Sequence, residues 1–264
     1  MDLGLKNKIA IITGGSAGIG LATARLLLQE GCKVTICARD EARLQAAAQE
    51  LQALGEVLAH ACDVLDGTQV QALVAATVEH FGGVDILVNN AGRSRVSSFA
   101  QTDDKAWRDE LELKFFGVIN PVRAAYPHLK QSGNGRIINI NAVLARQPEP
   151  QLVATAAARA GLLNLTHSLA IEFAPDHILV NSVTLGTIES DQWRKRYQEA
   201  VKNSLTKLSE TEWLSAQAQQ RQIPLGRYGK PSEVAAAIAF LASTQASFIT
   251  GTSLEVAGGV SRYI

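Results

Sequence analysis

Three glycines with the spacing of a phosphate-binding turn, Gly14, Gly18 and Gly20, stand near the start of the chain. They follow a short apolar run that begins at Ile9 and lead directly into a helical pattern near Ile19. Glycine lets the backbone turn tightly and approach a pyrophosphate, while a helix N-terminus offers unpaired N–H donors and partial positive charge. The pattern therefore predicts a nucleotide site, although a glycine-rich turn can also simply connect a strand to a helix.

The elements around this turn favour the nucleotide interpretation. Residues 21–30 carry leucine and alanine at helical spacing, and residues 34–38 are typical of a buried strand. The same alternation continues, with predicted helices at 40–54, 67–80, 103–130, 152–173 and 232–242 and predicted strands at 57–61, 84–88, 135–140, 178–183 and 253–256. We therefore expect a single-domain α/β fold over residues 1–264, a Rossmann-type doubly wound parallel sheet with helices on both faces.

Residues 188–222 interrupt this alternation after the sixth predicted strand. The segment is polar and helical in character, with Trp193, Tyr197 and Trp213 scattered among charged residues. Ligands of open α/β sheets bind beyond the carboxyl ends of the strands, so an insertion here is expected to be a substrate lid. The alternative is a solvated surface excursion.

The composition of the chain argues against nucleic-acid-binding and membrane-bound classes of protein. The chain has 264 residues, and its 25 basic and 25 acidic side chains give zero net charge, which favours neither nucleic acid nor an anionic membrane surface as a partner. It has no apolar run of about 18 residues that could span a bilayer, and its first residues lack the pattern of a secretory signal. We expect a cytoplasmic protein.

Cysteine and histidine give no sign of a metal site. Cys32, Cys37 and Cys62 lie in or beside predicted strands without a Cys-x-x-Cys spacing, so we expect buried free thiols. The five histidines are scattered without ligand spacing. No metal ligands are predicted.

Several separately placed motifs resemble the short-chain dehydrogenase/reductase family from about Lys6 to Gly259. They are the Thr-Gly-Gly-Ser-Ala-Gly-Ile-Gly run that ends at Gly20, Asp63, the Asn-Asn-Ala-Gly run that ends at Gly92, Asn181 and the Gly186 turn. The resemblance implies a nicotinamide cofactor and a homodimer or homotetramer. Family dimers form through the helix at residues 152–173, whose small side chains could equally pack within the subunit.

The resemblance also implies which residues bind the cofactor. Asp63 is expected at the adenine, Asn90 near the ribose, and Thr187 with its neighbours at the nicotinamide. Helix capping by Asp63 and turn formation by Asn89 and Asn90 are the structural alternatives. The full expected set is Gly14, Ser16, Gly18, Ile19, Gly20, Arg39, Asp63, Val64, Asn90, Ala91, Gly92, Arg159, Gly186, Ile188 and Ser190.

The end of the second predicted strand bears on the choice of coenzyme. A carboxylate about twenty residues after the glycines would bind the ribose 2′-hydroxyl of NAD, but that position is Ala38 and is followed by Arg39. Arg39 can donate charge-assisted hydrogen bonds to a 2′-phosphate, which favours NADP(H) over NAD(H). Asp40 works mildly against this preference.

The family's proton-transfer residues are replaced at all four aligned positions. Its serine, tyrosine and lysine fall on Ala142, Thr155 and Arg159, and its asparagine falls on Lys114. A threonine alcohol cannot replace a phenol as a general acid, although it can donate a hydrogen bond. Lys114 with a lowered pKa is a possible acid, and a surface lysine is its structural alternative. The candidate catalytic residues are Thr155, Arg159, Lys114 and Asn141. Tyr197 in the lid, or Tyr263 from a neighbouring subunit, is an alternative for the missing phenol.

Three functions remain open. The first is an NADP(H)-dependent oxidoreductase with a degenerate catalytic site, acting on an activated small molecule such as an iminium, an activated alkene or a strongly polarised carbonyl. Positioning alone can lower such a barrier by about 7–11 kcal/mol. The second is a non-catalytic NADP(H)-binding sensor or subunit. The third is a non-redox isomerase or lyase on the same fold.

Overall fold

A single seven-stranded parallel sheet forms the centre of the molecule, whose computed structural model describes residues 2–263 except the side chains of residues 191 and 192. The strands lie in the order β3-β2-β1-β4-β5-β6-β7, and each neighbouring pair is parallel. Their bounds are β1 Ile9–Thr13, β2 Lys33–Ala38, β3 Val57–Ala61, β4 Ile86–Asn89, β5 Arg136–Ala142, β6 Leu179–Leu185 and β7 Ser253–Val256.

Helices cover both faces of this sheet and bury an apolar layer on each side. One layer packs α1, α2 and α8 against the sheet, and the other packs α3, α4 and α5. The expected doubly wound α/β fold is thereby confirmed. The helices are α1 Gly18–Gln29, α2 Glu41–Leu51, α3 Gly67–Phe81, α4 Asp104–Gln131, α5 Val153–Phe173, α6 Asp191–Lys202, α7 Glu210–Gln220 and α8 Pro231–Ala242.

The direction of strand addition reverses between β1 and β4, and a crevice opens there at the carboxyl ends of the strands. The chain leaves β1 into the glycine-rich turn and leaves β4 at Asn90. Strands β5 and β6 run two residues further than predicted, because Asn141 pairs with Thr184 and Ala142 with Leu185 in register. Polar side chains at these strand ends thus approach the crevice.

The segment at residues 188–222 contains α6 and α7, which share a small core of their own. Trp193 packs against Trp213 and Tyr228, with Ala218 and Ile223 buried beneath them. A cavity of about 280 Å³ separates the segment from α1 near Gly18. The predicted helical character is correct, and the role of the segment as a lid remains a prediction.

The three cysteines are free and buried, as expected. Within residues 2–263, no helix combines the length and the apolar character that crossing a bilayer requires. In the same range, no group of three or more His, Cys, Asp or Glu side chains could hold a metal ion.

Candidate functional site

The turn after β1 has the geometry that its glycines predict. Gly14 and Gly18 adopt left-handed backbone angles, with φ of 65° and 53°. A Cβ atom on Gly20 would stand 2.3 Å from the carbonyl oxygen of Gly14, closer than any real contact. The first turn of α1 therefore lies directly against the preceding loop, and only glycine allows this approach.

The N-terminus of α1 is free to bind an anion. Its N-cap residue, Ala17, makes no side-chain capping hydrogen bond, and the first turn carries no acidic residue. Ser16 lies in the turn just before it, and Ile19 and Gly20 belong to the first helical turn. Unpaired N–H groups with the positive end of the helix dipole suit a pyrophosphate, so the residues present fit a dinucleotide cofactor.

Asn90 fixes this turn from the neighbouring strand. Its side-chain amide donates to the carbonyl oxygens of Thr13 and Gly14, at 2.9 and 3.1 Å. The backbone N–H groups of Asn90 and Ala91 both donate to the Thr13 hydroxyl. The turn-forming alternative thus describes Asn90, because its side-chain amide is bonded to the turn and does not point freely into the crevice. Gly92, two residues later, is exposed.

The turn-forming alternative is wrong for Asn89. It is the last residue of β4, and its side chain donates to the side chain of Asn139 on β5 inside the sheet. Its role is therefore to link two strands.

Just after β2 and β3, Arg39 and Asp63 form an ion pair with 3.7 Å between the guanidinium and the carboxylate. Arg39 is largely exposed and can reach an added phosphate. Asp63 does not cap α3, because that cap is Asp66; Asp63 instead accepts from the N–H of Leu65. Asp40 caps α2, so its carboxylate is engaged there.

The predicted nicotinamide residues lie between β6 and α6. A Cβ atom on Gly186 would come within 2.8 Å of the Ala257 backbone, so glycine lets the segment after β7 pass closely. Ile188 forms a parallel bridge with Gly229, and Ser190 begins α6 without a side-chain capping bond. Val64, also predicted to bind the cofactor, is buried.

A buried cluster of charged side chains lies at the predicted catalytic positions, between α4 and α5. The Lys114 ammonium is 3.5 Å from Glu110 Oε2 and donates to the Arg93 carbonyl oxygen at 2.6 Å. Glu110 and Lys114 are only 2% and 3% exposed. The surface-lysine alternative for Lys114 is therefore wrong.

The electrostatics of this cluster follow from burial and mutual repulsion. Burial lowers the pKa of Lys114 to about 8, the Arg159 charge lowers it as well, and Glu110 opposes both effects. Burial also lowers the pKa of Arg159 to about 10. The Arg159 Nε is buried without a hydrogen-bond partner, and one terminal nitrogen donates to the Ile140 carbonyl oxygen. An unpaired donor at this place suits a polar group of a bound ligand.

Two predicted catalytic side chains, Thr155 and Asn141, form hydrogen bonds to other protein groups. Thr155 is fully buried, and its hydroxyl donates to Glu110 Oε2 at 2.7 Å while accepting from the Arg95 N–H. Asn141 is also fully buried, and its amide donates to the Arg159 carbonyl oxygen. The polar atoms of both side chains already bind protein groups, and a role of either residue toward a substrate stays a prediction.

The alternative phenols show no better placement. The Tyr197 hydroxyl donates to the Leu208 carbonyl oxygen within the 188–222 segment. Tyr263 packs under the Arg146 guanidinium, and burial followed by the neighbouring Glu255 raises the pKa of its phenol. The environment of Tyr263 therefore makes its phenol a weaker acid.

Glu110 is the functional candidate that the sequence prediction missed. It precedes Lys114 by four residues on α4, the spacing at which acidic and basic side chains meet on a helix. That spacing is visible in the sequence. The inward orientation of the pair is not, because it depends on packing against α5.

Comparison with known proteins finds a matching family model and proteins of similar sequence. A family model described as Enoyl-(Acyl carrier protein) reductase matches residues 14–261. The 3-oxoacyl-(acyl-carrier-protein) reductase FabG of Vibrio cholerae is 36% identical, over 98% of this chain and 99% of that protein.

Two solved structures are similar over nearly the whole chain. One is an NADPH-bound short chain oxidoreductase from Pseudomonas aeruginosa PAO1, described as containing an atypical catalytic center; it is 48% identical, with a TM-score of 0.92 and coverage of 98% of this chain and 100% of that one. The other is L-sorbose reductase from Gluconobacter frateurii complexed with NADPH and L-sorbose, 32% identical with a TM-score of 0.95 and full coverage of both chains.

Proposed function

Because the chain belongs to the short-chain dehydrogenase/reductase family, we propose that it is an NADP(H)-dependent reductase of a small carbonyl compound in which Lys114 replaces the family's tyrosine as proton donor. The observation that carries this proposal is the buried Lys114, whose pKa of about 8 suits proton transfer near neutral pH. The family's other catalytic positions hold Ala142, Thr155 and Arg159.

The cofactor would be held by the elements that meet at the crevice. The glycine turn and the N-terminus of α1 suit the pyrophosphate, and Arg39 suits a 2′-phosphate because it is exposed and positively charged. Arg159 has an unpaired buried N–H and would bind the nicotinamide ribose. When bound, NADPH supplies the hydride. The similar NADPH-bound structures support the choice of the phosphorylated coenzyme.

The reaction needs one proton besides the hydride. As the carbonyl carbon of the substrate accepts the hydride, its oxygen gains negative charge and must be protonated to give the alcohol. The Lys114 ammonium would donate that proton, and the adjacent Arg159 would stabilise the developing oxyanion. The deprotonated amine would then recover a proton from water. A guanidinium cannot itself take part in this transfer.

The substrate class follows from how the proton is supplied. The Lys114 ammonium is held by Glu110 and by the Arg93 carbonyl oxygen, which leaves only its remaining N–H to reach a substrate oxygen. We therefore expect an activated substrate, with a strongly polarised carbonyl favoured because relatives are named as ketoreductases and 3-oxoacyl reductases.

A non-catalytic NADP(H)-binding protein is the second candidate. The internal hydrogen bonds of Thr155 and Asn141 favour it, because they give these side chains a structural use. Coenzyme binding without any turnover would support this candidate.

We also propose that the protein forms a homodimer or homotetramer. Leu111 and Phe116 on α4 and Ile171 on α5 are exposed apolar residues. On α5, Gly161 packs against Phe115 within the subunit, whereas Ala157 and Ala160 face outward. Light scattering of the purified protein measures the state directly.

The test compares Lys114→Met with Lys105→Met, which replaces a largely exposed lysine on the same helix. NADPH consumption is followed with 9,10-phenanthrenequinone, a strongly polarised dicarbonyl probe. We expect Lys114→Met to lower kcat by about 10²–10⁴-fold while NADPH affinity changes little. Lys105→Met should behave as the wild type. Equal activity of all three proteins would refute Lys114 as the donor.

A further inference from the structure

We propose that Glu110 is the positioning residue of this site: its buried carboxylate holds the Lys114 ammonium and sets the pH range over which Lys114 carries a proton. This inference rests on the proposed function, which assigns the proton transfer to Lys114. It gives a role to a residue that has no counterpart among the family's usual catalytic positions.

The geometry places Glu110 at the junction of three segments. Its Oε2 accepts from the Thr155 hydroxyl of α5 at 2.7 Å and lies 3.5 Å from the Lys114 ammonium on α4. Thr155 in turn accepts from the N–H of Arg95, in the segment that leaves β4. That segment also supplies the Arg93 carbonyl oxygen that accepts from Lys114. One carboxylate oxygen therefore connects α4, α5 and the segment after β4.

The charges that face Lys114 make the Glu110 carboxylate the group that favours the protonated form of Lys114. Arg159 from α5 and Arg93 from the segment after β4 are both positive, and Glu110 on its own helix is the acidic group that opposes them. Removing a buried carboxylate leaves its cationic partner uncompensated, and that partner then loses its proton more easily. Lys114 without Glu110 would thus be neutral under conditions in which the wild type is charged.

Glu110→Gln separates this role from a merely structural one. The amide keeps the size of the side chain and an oxygen acceptor for Thr155, but it lacks the negative charge. Glu112→Gln is the matched control, because Glu112 lies on the same helix and is exposed. Glu110→Asp restores the charge on a shorter side chain and tests rescue.

The first readout does not depend on catalysis. The protein is labelled with ¹³C-lysine, and the Lys114 resonance is assigned by its absence in Lys114→Met. We expect Glu110→Gln to move the Lys114 titration midpoint downward by about 1–3 pH units, whereas Glu112→Gln leaves it in place. An unchanged midpoint in Glu110→Gln would overturn the proposal, whether or not the protein turns over any substrate.

The second readout is the pH profile of kcat with 9,10-phenanthrenequinone. Since reduction needs the charged ammonium, the rate should fall as pH rises through the Lys114 midpoint. In Glu110→Gln the fall should begin at lower pH. On the alkaline side of the midpoint, the rate of this variant should be about tenfold below that of the wild type for each unit by which the midpoint shifts. Glu110→Asp should recover part of the pH range over which the enzyme is active. A shifted midpoint with an unshifted rate profile would show that Glu110 sets the charge of Lys114 but that Lys114 is not the proton donor, which refutes the proposed function and not the contact between the two residues.

Discussion

The side-chain amide of Asn90 lies 3.1 Å from the carbonyl oxygen of Gly14 and thereby ties the end of β4 to the turn that follows β1. These two strands flank the point where the sheet order reverses. The cofactor crevice is therefore held by a hydrogen bond that spans it from one strand end to the other.

Replacing Asn90 with Ala should loosen this turn and weaken NADPH binding. The variant loses the bonds to Thr13 and Gly14, each worth about 0.5–1.5 kcal/mol. Asn181→Ala is the control, because that buried amide binds the Ile249 carbonyl away from the turn. Coenzyme titration and thermal unfolding should show both variants destabilised but only Asn90→Ala impaired in binding. Equal binding by the two would contradict the assigned role.

Gly20→Ala should disrupt the first turn of α1. Its methyl group would stand 2.3 Å from the Gly14 carbonyl oxygen, and such overpacking costs about 1–3 kcal/mol. Gly67→Ala, at the start of α3, meets no atom within 4 Å and should be neutral. Denaturant unfolding measures both changes, and a Gly20→Ala protein with wild-type stability would show that the turn can shift freely.

Arg39→Ala should reduce the preference for the phosphorylated coenzyme. A hydrogen bond to a charged group contributes about 1.5–3 kcal/mol, which corresponds to roughly 10–100-fold in affinity. NADPH affinity should fall by that factor while NADH affinity stays constant, as measured by nicotinamide fluorescence. Arg123→Ala, an exposed arginine on α4, serves as control. A parallel loss for both coenzymes would place Arg39 away from the 2′-phosphate.

Lys114 should make stability depend on pH in a defined window. Burial lowers its pKa from 10.5 to about 8, so between these values the unfolded chain binds more protons than the folded one. Stability should therefore rise with pH across this window, by about 3 kcal/mol, and be lost as pH falls through 8. Denaturant unfolding of wild type and Lys114→Met at pH 7 and 10.5 isolates the effect. The same pH dependence in both proteins would argue against a buried, charged lysine.

The sequence alone was sufficient to predict the fold and the position of the crevice at the carboxyl ends of the strands. Alternation of apolar strands and amphipathic helices is a local signal, so the seven strands and six of the helices within residues 2–263 could be assigned with end errors of only a few residues. The other two, α6 and α7, were predicted only as a segment of helical character at residues 188–222. The left-handed angles of Gly14 and Gly18 follow from the glycines themselves. The alternative of Asp63 as a helix cap is wrong, because Asp66, three residues later, has the same capping chemistry and caps α3.

The partners within the catalytic cluster could not be predicted in the same way. Alignment gives the positions of Thr155 and Asn141 but not the atoms that they bind. Their orientation depends on how α5 packs against α4 and against the end of β5, which is a tertiary property. Glu110 was missed for the same reason, since an i,i+4 pair in sequence is usually a solvated one.

Titration of the protein with NADPH and NADH, followed by nicotinamide fluorescence, tests the central claim most directly. An intact coenzyme crevice beside an unusual proton donor requires saturable binding of one NADPH per chain, tighter than that of NADH. Failure to bind either coenzyme at saturating concentration would contradict the account.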